Sequence, residues 1–76
     1  MDQDNDLEDL LVVKFKFGIQ KAEMISITEQ NGAKFNQYFE DIMLCEIAVP
    51  AGKGNEFVAK FNGLPEVEFA ELNIKF

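Results

Sequence analysis

Apolar and polar residues alternate from residue 10 to residue 17, where the sequence reads LLVVKFKF. A period of two places every second side chain on the same face of a β-strand. One face, which we expect to be buried, carries Leu11, Val13, Phe15 and Phe17. The opposite face carries Leu10, Val12, Lys14 and Lys16. The pattern therefore predicts a first strand that covers a core with one of its two faces.

Two later segments, residues 20–31 and 55–62, place apolar side chains three or four residues apart, which is the spacing of a helix. Each ends before a glycine, Gly32 or Gly63, and glycine is common just beyond helix ends. The apolar stripes consist of Met24, Ile27 and Thr28 in the first segment and of Phe57, Phe61 and Leu64 in the second. The sequence thus predicts two short helices.

Three further segments, rich in aromatic and β-branched residues, predict strands over residues 33–40, 42–49 and 66–71. The first two are separated by a turn near Glu40 and Asp41 and should form a hairpin. In the last two strands, the side chains predicted to face the core are Met43, Cys45, Ile47, Val49, Val67 and Phe69. Those predicted to face outward are Leu44, Glu46, Ala48, Glu66, Glu68 and Ala70.

The predicted order of elements is β-α-β-β-α-β. This order is typical of an α+β ferredoxin-like βαββαβ domain, in which a four-stranded antiparallel sheet carries both helices on one face. The other face remains open, and its expected residues are Val12, Lys14, Leu44, Glu46, Ala48, Glu68 and Ala70. Small and apolar side chains on such a face form a surface that a second protein can cover. Many unrelated functions use this architecture, so the fold alone assigns no activity.

The composition excludes most catalytic and metal-binding chemistry. The 76 residues, enough for one small domain, include no His, no Arg and a single Cys. Without histidine there can be no Ser-His-Asp or Cys-His pair, and one cysteine cannot complete a zinc site. We therefore expect no enzymatic activity, no cofactor and no metal, and we interpret Cys45 as a small apolar residue of the core.

Acidic residues outnumber basic ones by fourteen to seven, which gives a net charge of −7. This charge disfavours binding to nucleic acid. No apolar run is long enough to span a membrane, so neither nucleic acid nor a membrane is an expected partner. Five of the acidic residues fall within residues 1–9, where the first apolar residue after Met1 is Leu7. We interpret residues 1–9 as a disordered acidic leader.

Several short motifs occur in an order and spacing that resemble the propeptide-like inhibitor domains of subtilisin-like serine proteases. The resemblance extends over about residues 10–74. Its motifs are Val13-Lys14-Phe15-Lys16 with Gly18, Lys21-Ala22-Glu23, Gly32-Ala33-Lys34, Val49-Pro50-Ala51-Gly52-Lys53, and Leu64-Pro65-Glu66-Val67-Glu68-Phe69-Ala70-Glu71 with Asn73. Phe17 and Leu72 depart from the family pattern, which often has proline at both positions.

The resemblance implies an inhibitor or intramolecular chaperone, or both, of a subtilisin-like serine protease. Residues 10–71 would form the propeptide-like inhibitor domain and residues 72–76 a substrate-like tail in the protease cleft. The open sheet face would lie on two surface helices of the protease, and Glu71 and Asn73 would cap the N-termini of those helices. The protease-binding residues implied are Leu44, Glu46, Ala48, Glu68, Ala70, Glu71, Asn73, Ile74, Lys75 and Phe76.

A second hypothesis remains open from the residues alone, namely a ferredoxin-like regulatory or dimerisation module that binds a small ligand. The cellular location depends on which hypothesis holds. A prodomain would be secreted or held in the cell envelope, whereas a free-standing inhibitor would act in the cytoplasm.

Overall fold

Residues 8–73, which the computed structural model describes, form one four-stranded antiparallel sheet and two helices. The elements in chain order are β1 (Glu8–Phe15), α1 (Lys21–Gln30), β2 (Lys34–Phe39), β3 (Leu44–Pro50), α2 (Gly54–Asn62) and β4 (Val67–Leu72). The strands lie side by side in the order β2-β3-β1-β4. This arrangement confirms the predicted ferredoxin-like βαββαβ fold.

The core lies between the helices and one face of the sheet, which we call the helix face. Its strand residues include Leu11, Val13, Phe15, Cys45, Ile47 and Val49, all buried. Met24 of α1 and Phe61 of α2 are buried in the same cluster. These side chains follow the alternation in the strands and the apolar stripes in the helices, so the sequence pattern predicted this part of the core correctly.

The ends of β1 differ from the prediction at both sides. Glu8 and Asp9 already belong to the strand, so they are not part of a disordered leader, while residues 1–7 lie outside the described range. At the other end the strand stops at Phe15, and Phe17 enters a turn in which its side chain is 92% exposed. The prediction that Phe17 faces the core is wrong, because the chain turns through Gly18, which has a φ of 100°.

The hairpin between β2 and β3 is confirmed, but its turn is longer than predicted. Residues 40–43 form the turn, and Met43 has a positive φ of 56°, which is uncommon for a residue other than glycine. The strand β3 therefore begins at Leu44 instead of residue 42. As a result Met43 does not contribute a side chain to the inward face of β3, contrary to the prediction.

The strand β4 contains a shift in register that reverses part of its predicted pattern. Val67 pairs with Phe15, whereas Phe69 pairs with Lys14, so Glu68 is an extra residue in a β-bulge. Beyond the bulge Ala70 pairs with Val13 and is buried on the helix face. The predictions that Ala70 faces outward and Phe69 inward are therefore wrong, since the two have exchanged faces.

The carboxylate of Asp9 connects the start of β1 to the start of α2. Its Oδ2 accepts hydrogen bonds from the backbone N–H groups of Gly52, at 3.1 Å, and Gly54, at 2.9 Å. The residue at the N-cap position of α2, Lys53, makes no capping bond with its own side chain. Asp9 therefore satisfies a donor at this helix start and places its negative charge at the positive end of the helix dipole.

We expect Asp9→Ala to lower the free energy of unfolding by about 0.5–2 kcal/mol, the usual cost of losing a helix cap. Asp9→Asn keeps an acceptor oxygen and should lose less. Urea denaturation followed by circular dichroism measures both changes. Equal stability of the alanine variant and the original chain would contradict the capping role.

Gly54 leaves little room for a side chain, because the side chains of Leu72 and Asp9 would have to shift. A Cβ at this position would lie 2.5 Å from Cδ2 of Leu72 and 2.8 Å from Oδ2 of Asp9. We expect Gly54→Ala to destabilise the chain by about 1–3 kcal/mol, as overpacking usually does. The matched control is Gly63→Ala, whose Cβ would meet nothing closer than the backbone oxygen of Lys60 at 3.5 Å. Denaturation curves in which both variants behave alike would overturn this expectation.

Candidate protein-binding face

The face of the sheet opposite the helices, which we call the open face, is assigned from the strand pairing. Its side chains are Lys34, Gln37 and Phe39 from β2, Leu44, Glu46 and Ala48 from β3, Leu10, Val12 and Lys14 from β1, and Phe69, Glu71 and Asn73 from β4 and the residue after it. The prediction that Leu44, Glu46 and Ala48 share this face is confirmed, although their contact with a protease stays a prediction.

Large apolar side chains are concentrated towards one end of the open face. Phe39 pairs with Leu44, and Phe69 pairs with Lys14. Phe39 is 40% exposed, while Leu44 and Phe69 are half-buried. An apolar surface of this kind, on a face that carries neither helix, is typical of a surface that a second protein covers.

A buried carboxylate lies near the centre of the open face. Glu46 is only 7% exposed, and each of its two carboxylate oxygens accepts a hydrogen bond. Oε1 accepts one from Nε2 of Gln37 at 3.1 Å, and Oε2 accepts one from Nδ2 of Asn73 at 3.0 Å. These bonds compensate for the removal of the carboxylate from water.

Two polar residues lie at the C-terminal end of β4. Glu71 pairs with Val12 and is exposed, so its carboxylate extends from the open face. The backbone N–H of Asn73 donates to the carbonyl oxygen of Leu10 at 2.8 Å, which continues the ladder one residue beyond β4. The structure thus brings Glu71 and Asn73 together at one corner of the open face, as their spacing of two residues requires.

The remaining predicted site residues have different positions. Glu68 is exposed at the bulge, and Ala70 lies in the core. The predicted tail residues Ile74, Lys75 and Phe76 lie outside the described range.

Four members of the open face were not predicted from the sequence, namely Lys34, Gln37, Phe39 and Phe69. The position of Phe69 could have been predicted, because period-two alternation places residues 69 and 71 on the same face of a strand. Gln37 follows a register shift between Phe35 and Gln37, and no glycine or proline marks that shift in the sequence.

Comparison with known families decides what kind of domain this is. The family model of the fervidolysin N-terminal prodomain matches residues 6–73. The chain belongs to this family. The match includes both helices and all four strands, and it confirms the resemblance to subtilisin-like protease propeptides. No curated protein and no solved structure is significantly similar to the chain.

Membership of the prodomain family implies a protease partner, and families of this type are typically non-catalytic. Within residues 8–73, no group of three or more His, Cys, Asp or Glu side chains could hold a metal ion. Neither helix in this part of the prodomain is long and apolar enough to cross a membrane.

The single thiol of the prodomain is a core group. Cys45 is buried, and its Sγ lies 3.6 Å from Sδ of Met24. Burial raises the pKa of this thiol from 9.0 to about 11, and the opposing effect of the Lys21 charge is smaller. Because the thiolate is the nucleophilic form, Cys45 is held in its unreactive state near neutral pH.

We expect the folded prodomain to react slowly with a thiol reagent such as dithionitrobenzoate at pH 8, and the urea-unfolded chain to react fast. Absorbance at 412 nm follows the reaction of the thiol with this reagent. Equal rates for the folded and unfolded chain would show that Cys45 is accessible.

The raised pKa also means that the stability contributed by the neutral thiol is present below pH 9 and is lost as the pH rises through about 11.

Proposed function

We propose that this chain inhibits a subtilisin-like serine protease and assists its folding as a prodomain. The predicted tail began at residue 72, but Leu72 belongs to β4 and Asn73 continues its ladder. In this proposal the open face packs on the protease surface, and residues 74–76 follow as a substrate-like strand. The observation that carries the proposal is the combination, on one sheet face, of partly exposed apolar side chains with Glu71 and Asn73 at the C-terminal end of β4. Membership of the prodomain family supports it.

The apolar part of the open face supplies the contact area. The backbones of Phe39, Leu44 and Phe69 are fixed in strands, so no loop has to become ordered when a partner covers these side chains. Aromatic residues at the centre of an interface commonly contribute most of its binding energy. Removal of these side chains from water therefore favours association with a complementary protein surface.

Glu71 and Asn73 supply the polar part of the interface. The first backbone N–H groups of a helix lack partners within the helix, and the helix dipole favours negative charge at that end. An exposed carboxylate from Glu71 fits such a terminus by charge and by hydrogen bonding. Asn73 offers an acceptor oxygen without charge and fits a second terminus less strongly.

The alternative, a dimer that forms through sheet edges, meets an obstacle at β4. Asn62 of α2 lies against the outer edge of this strand, where its Nδ2 donates to the carbonyl oxygen of Ala70 and its Oδ1 accepts from the Ala70 N–H, both at 3.0 Å. An added strand would have to displace this side chain to pair at Ala70. The observation favours binding through the open face over addition of a strand to β4.

The proposal predicts a concentration-dependent loss of subtilisin activity when the 76-residue chain is added to nanomolar enzyme with a chromogenic peptide substrate. Glu71→Gln should weaken inhibition roughly twofold to thirtyfold, which corresponds to about 0.5–2 kcal/mol for a charge at a helix N-terminus. The matched control is Glu29→Gln, since Glu29 is exposed on α1, away from the open face. It should inhibit like the original chain.

The time course separates two modes of action. Recovery of activity over minutes to hours would show that the protease cleaves the domain, as expected for a temporary prodomain. Lasting inhibition would indicate a persistent inhibitor. Full activity in the presence of a large excess of folded, intact chain would contradict the proposal.

A further inference from the structure

We infer that Glu46 is a positioning residue that orients the side-chain amide of Asn73 and so determines which of its atoms faces the partner. The inference rests on the proposed function, because it concerns the same interface. Its starting point is a carboxylate that is almost fully buried on a sheet face otherwise suited to protein contact. A carboxylate is costly to bury, so the hydrogen bonds that keep Glu46 buried indicate a specific role for it.

The hydrogen bonds of Glu46 connect distant parts of the sheet. Gln37 lies beside it on the edge strand β2, whereas Asn73 follows β4 on the opposite edge and reaches across β1. The two partners are 9 and 27 residues away from Glu46 in the sequence. A single carboxylate therefore ties the exit of the chain to the centre of the sheet.

The chemistry of the two groups determines the orientation of the amide. An ionised carboxylate only accepts hydrogen bonds, while a primary amide has a donor end and an acceptor end. Asn73 must therefore turn Nδ2 towards Glu46, and the observed 3.0 Å contact joins Nδ2 to Oε2. The acceptor atom Oδ1 is left to face the other way, available for a donor from a partner. The charge on Glu46 strengthens this preference.

The consequence for binding is pre-organisation. A helix N-terminus of a protease presents N–H donors and needs an oxygen opposite them. With the amide already oriented, Asn73 loses less rotational freedom when it accepts such a donor. The backbone hydrogen bond from Asn73 to Leu10 holds the main chain of the same residue, so both its side chain and its backbone are positioned before binding.

A comparison of four chains tests the inference: the original, Glu46→Gln, Asn73→Ala and the double variant. Replacing the carboxylate with an amide lets its new N–H donate to Oδ1 of Asn73, which turns the donor end of Asn73 outward. We expect Glu46→Gln to weaken subtilisin inhibition about twofold to tenfold, the range for one hydrogen bond. In the Asn73→Ala background the same change should have no further effect. Glu29→Gln is the control for the change in net charge.

A second pair of variants keeps the test decisive if Glu46→Gln also lowers stability. Asn73→Asp places a second carboxylate against Glu46, and the repulsion should turn it away and weaken inhibition. Adding Glu46→Gln to that variant supplies a donor for the new carboxylate and should restore inhibition by about threefold or more. A loss of general stability predicts the opposite, because two destabilising changes would combine. Melting temperatures of all variants accompany the inhibition constants.

The outcomes distinguish the inference from the proposed function. If the original chain inhibits subtilisin but Glu46→Gln weakens it equally with and without Asn73, Glu46 has only a structural role and the inference is wrong. Failure of Glu46→Gln to rescue Asn73→Asp overturns it as well. If the original folded chain does not inhibit at all, the proposed function fails and the inference falls with it. Non-additivity together with rescue supports both.

Discussion

The extra residue at Glu68 determines which side chains of β4 reach the open face. Before the bulge Val67 pairs with Phe15 on the helix face, and after it the alternation has moved by one position. If Glu68 were instead paired as a regular residue of the strand, the open face would carry Ala70, and the side chain of Glu71 would point towards the core. A carboxylate buried there without a partner would be costly. The bulge thus allows an apolar core and a polar chain exit to be adjacent on one short strand.

The element order and most of the core were predictable because they depend on local patterns. Alternation in β1 and β3 and the helical spacing of Met24 and Phe61 are visible without knowledge of tertiary contacts. The failures share a physical cause. Phe17, Met43 and Ala70 each lie at or beyond a point where the backbone departs from regular geometry, by a turn or a bulge. A period-two pattern assumes continuous strands, so it fails wherever that assumption does.

The candidate site was predictable in outline and not in detail. The resemblance to propeptides identified Glu71 and Asn73, and both lie on the open face. The burial of Glu46 was not readable, because its partners are distant in sequence and are brought together only by the strand order. The capping of α2 by Asp9 was not predictable for the same reason, since Asp9 lies 45 positions before Gly54 in the sequence. Long-range hydrogen bonds of this kind leave no periodic trace in a sequence.

Leu72 and Asn73 are held from opposite faces of the sheet. Leu72 pairs with Leu11 and packs beside Gly54 on the helix face, where Asp9 also binds the start of α2. The next residue, Asn73, is held on the open face by Glu46 and through its backbone by Leu10. Consecutive residues anchored on opposite faces restrict rotation about the chain axis more than two anchors on one face would. In the proposed complex Leu72 and Asn73 would therefore lose little conformational entropy when a partner covers this corner of the open face.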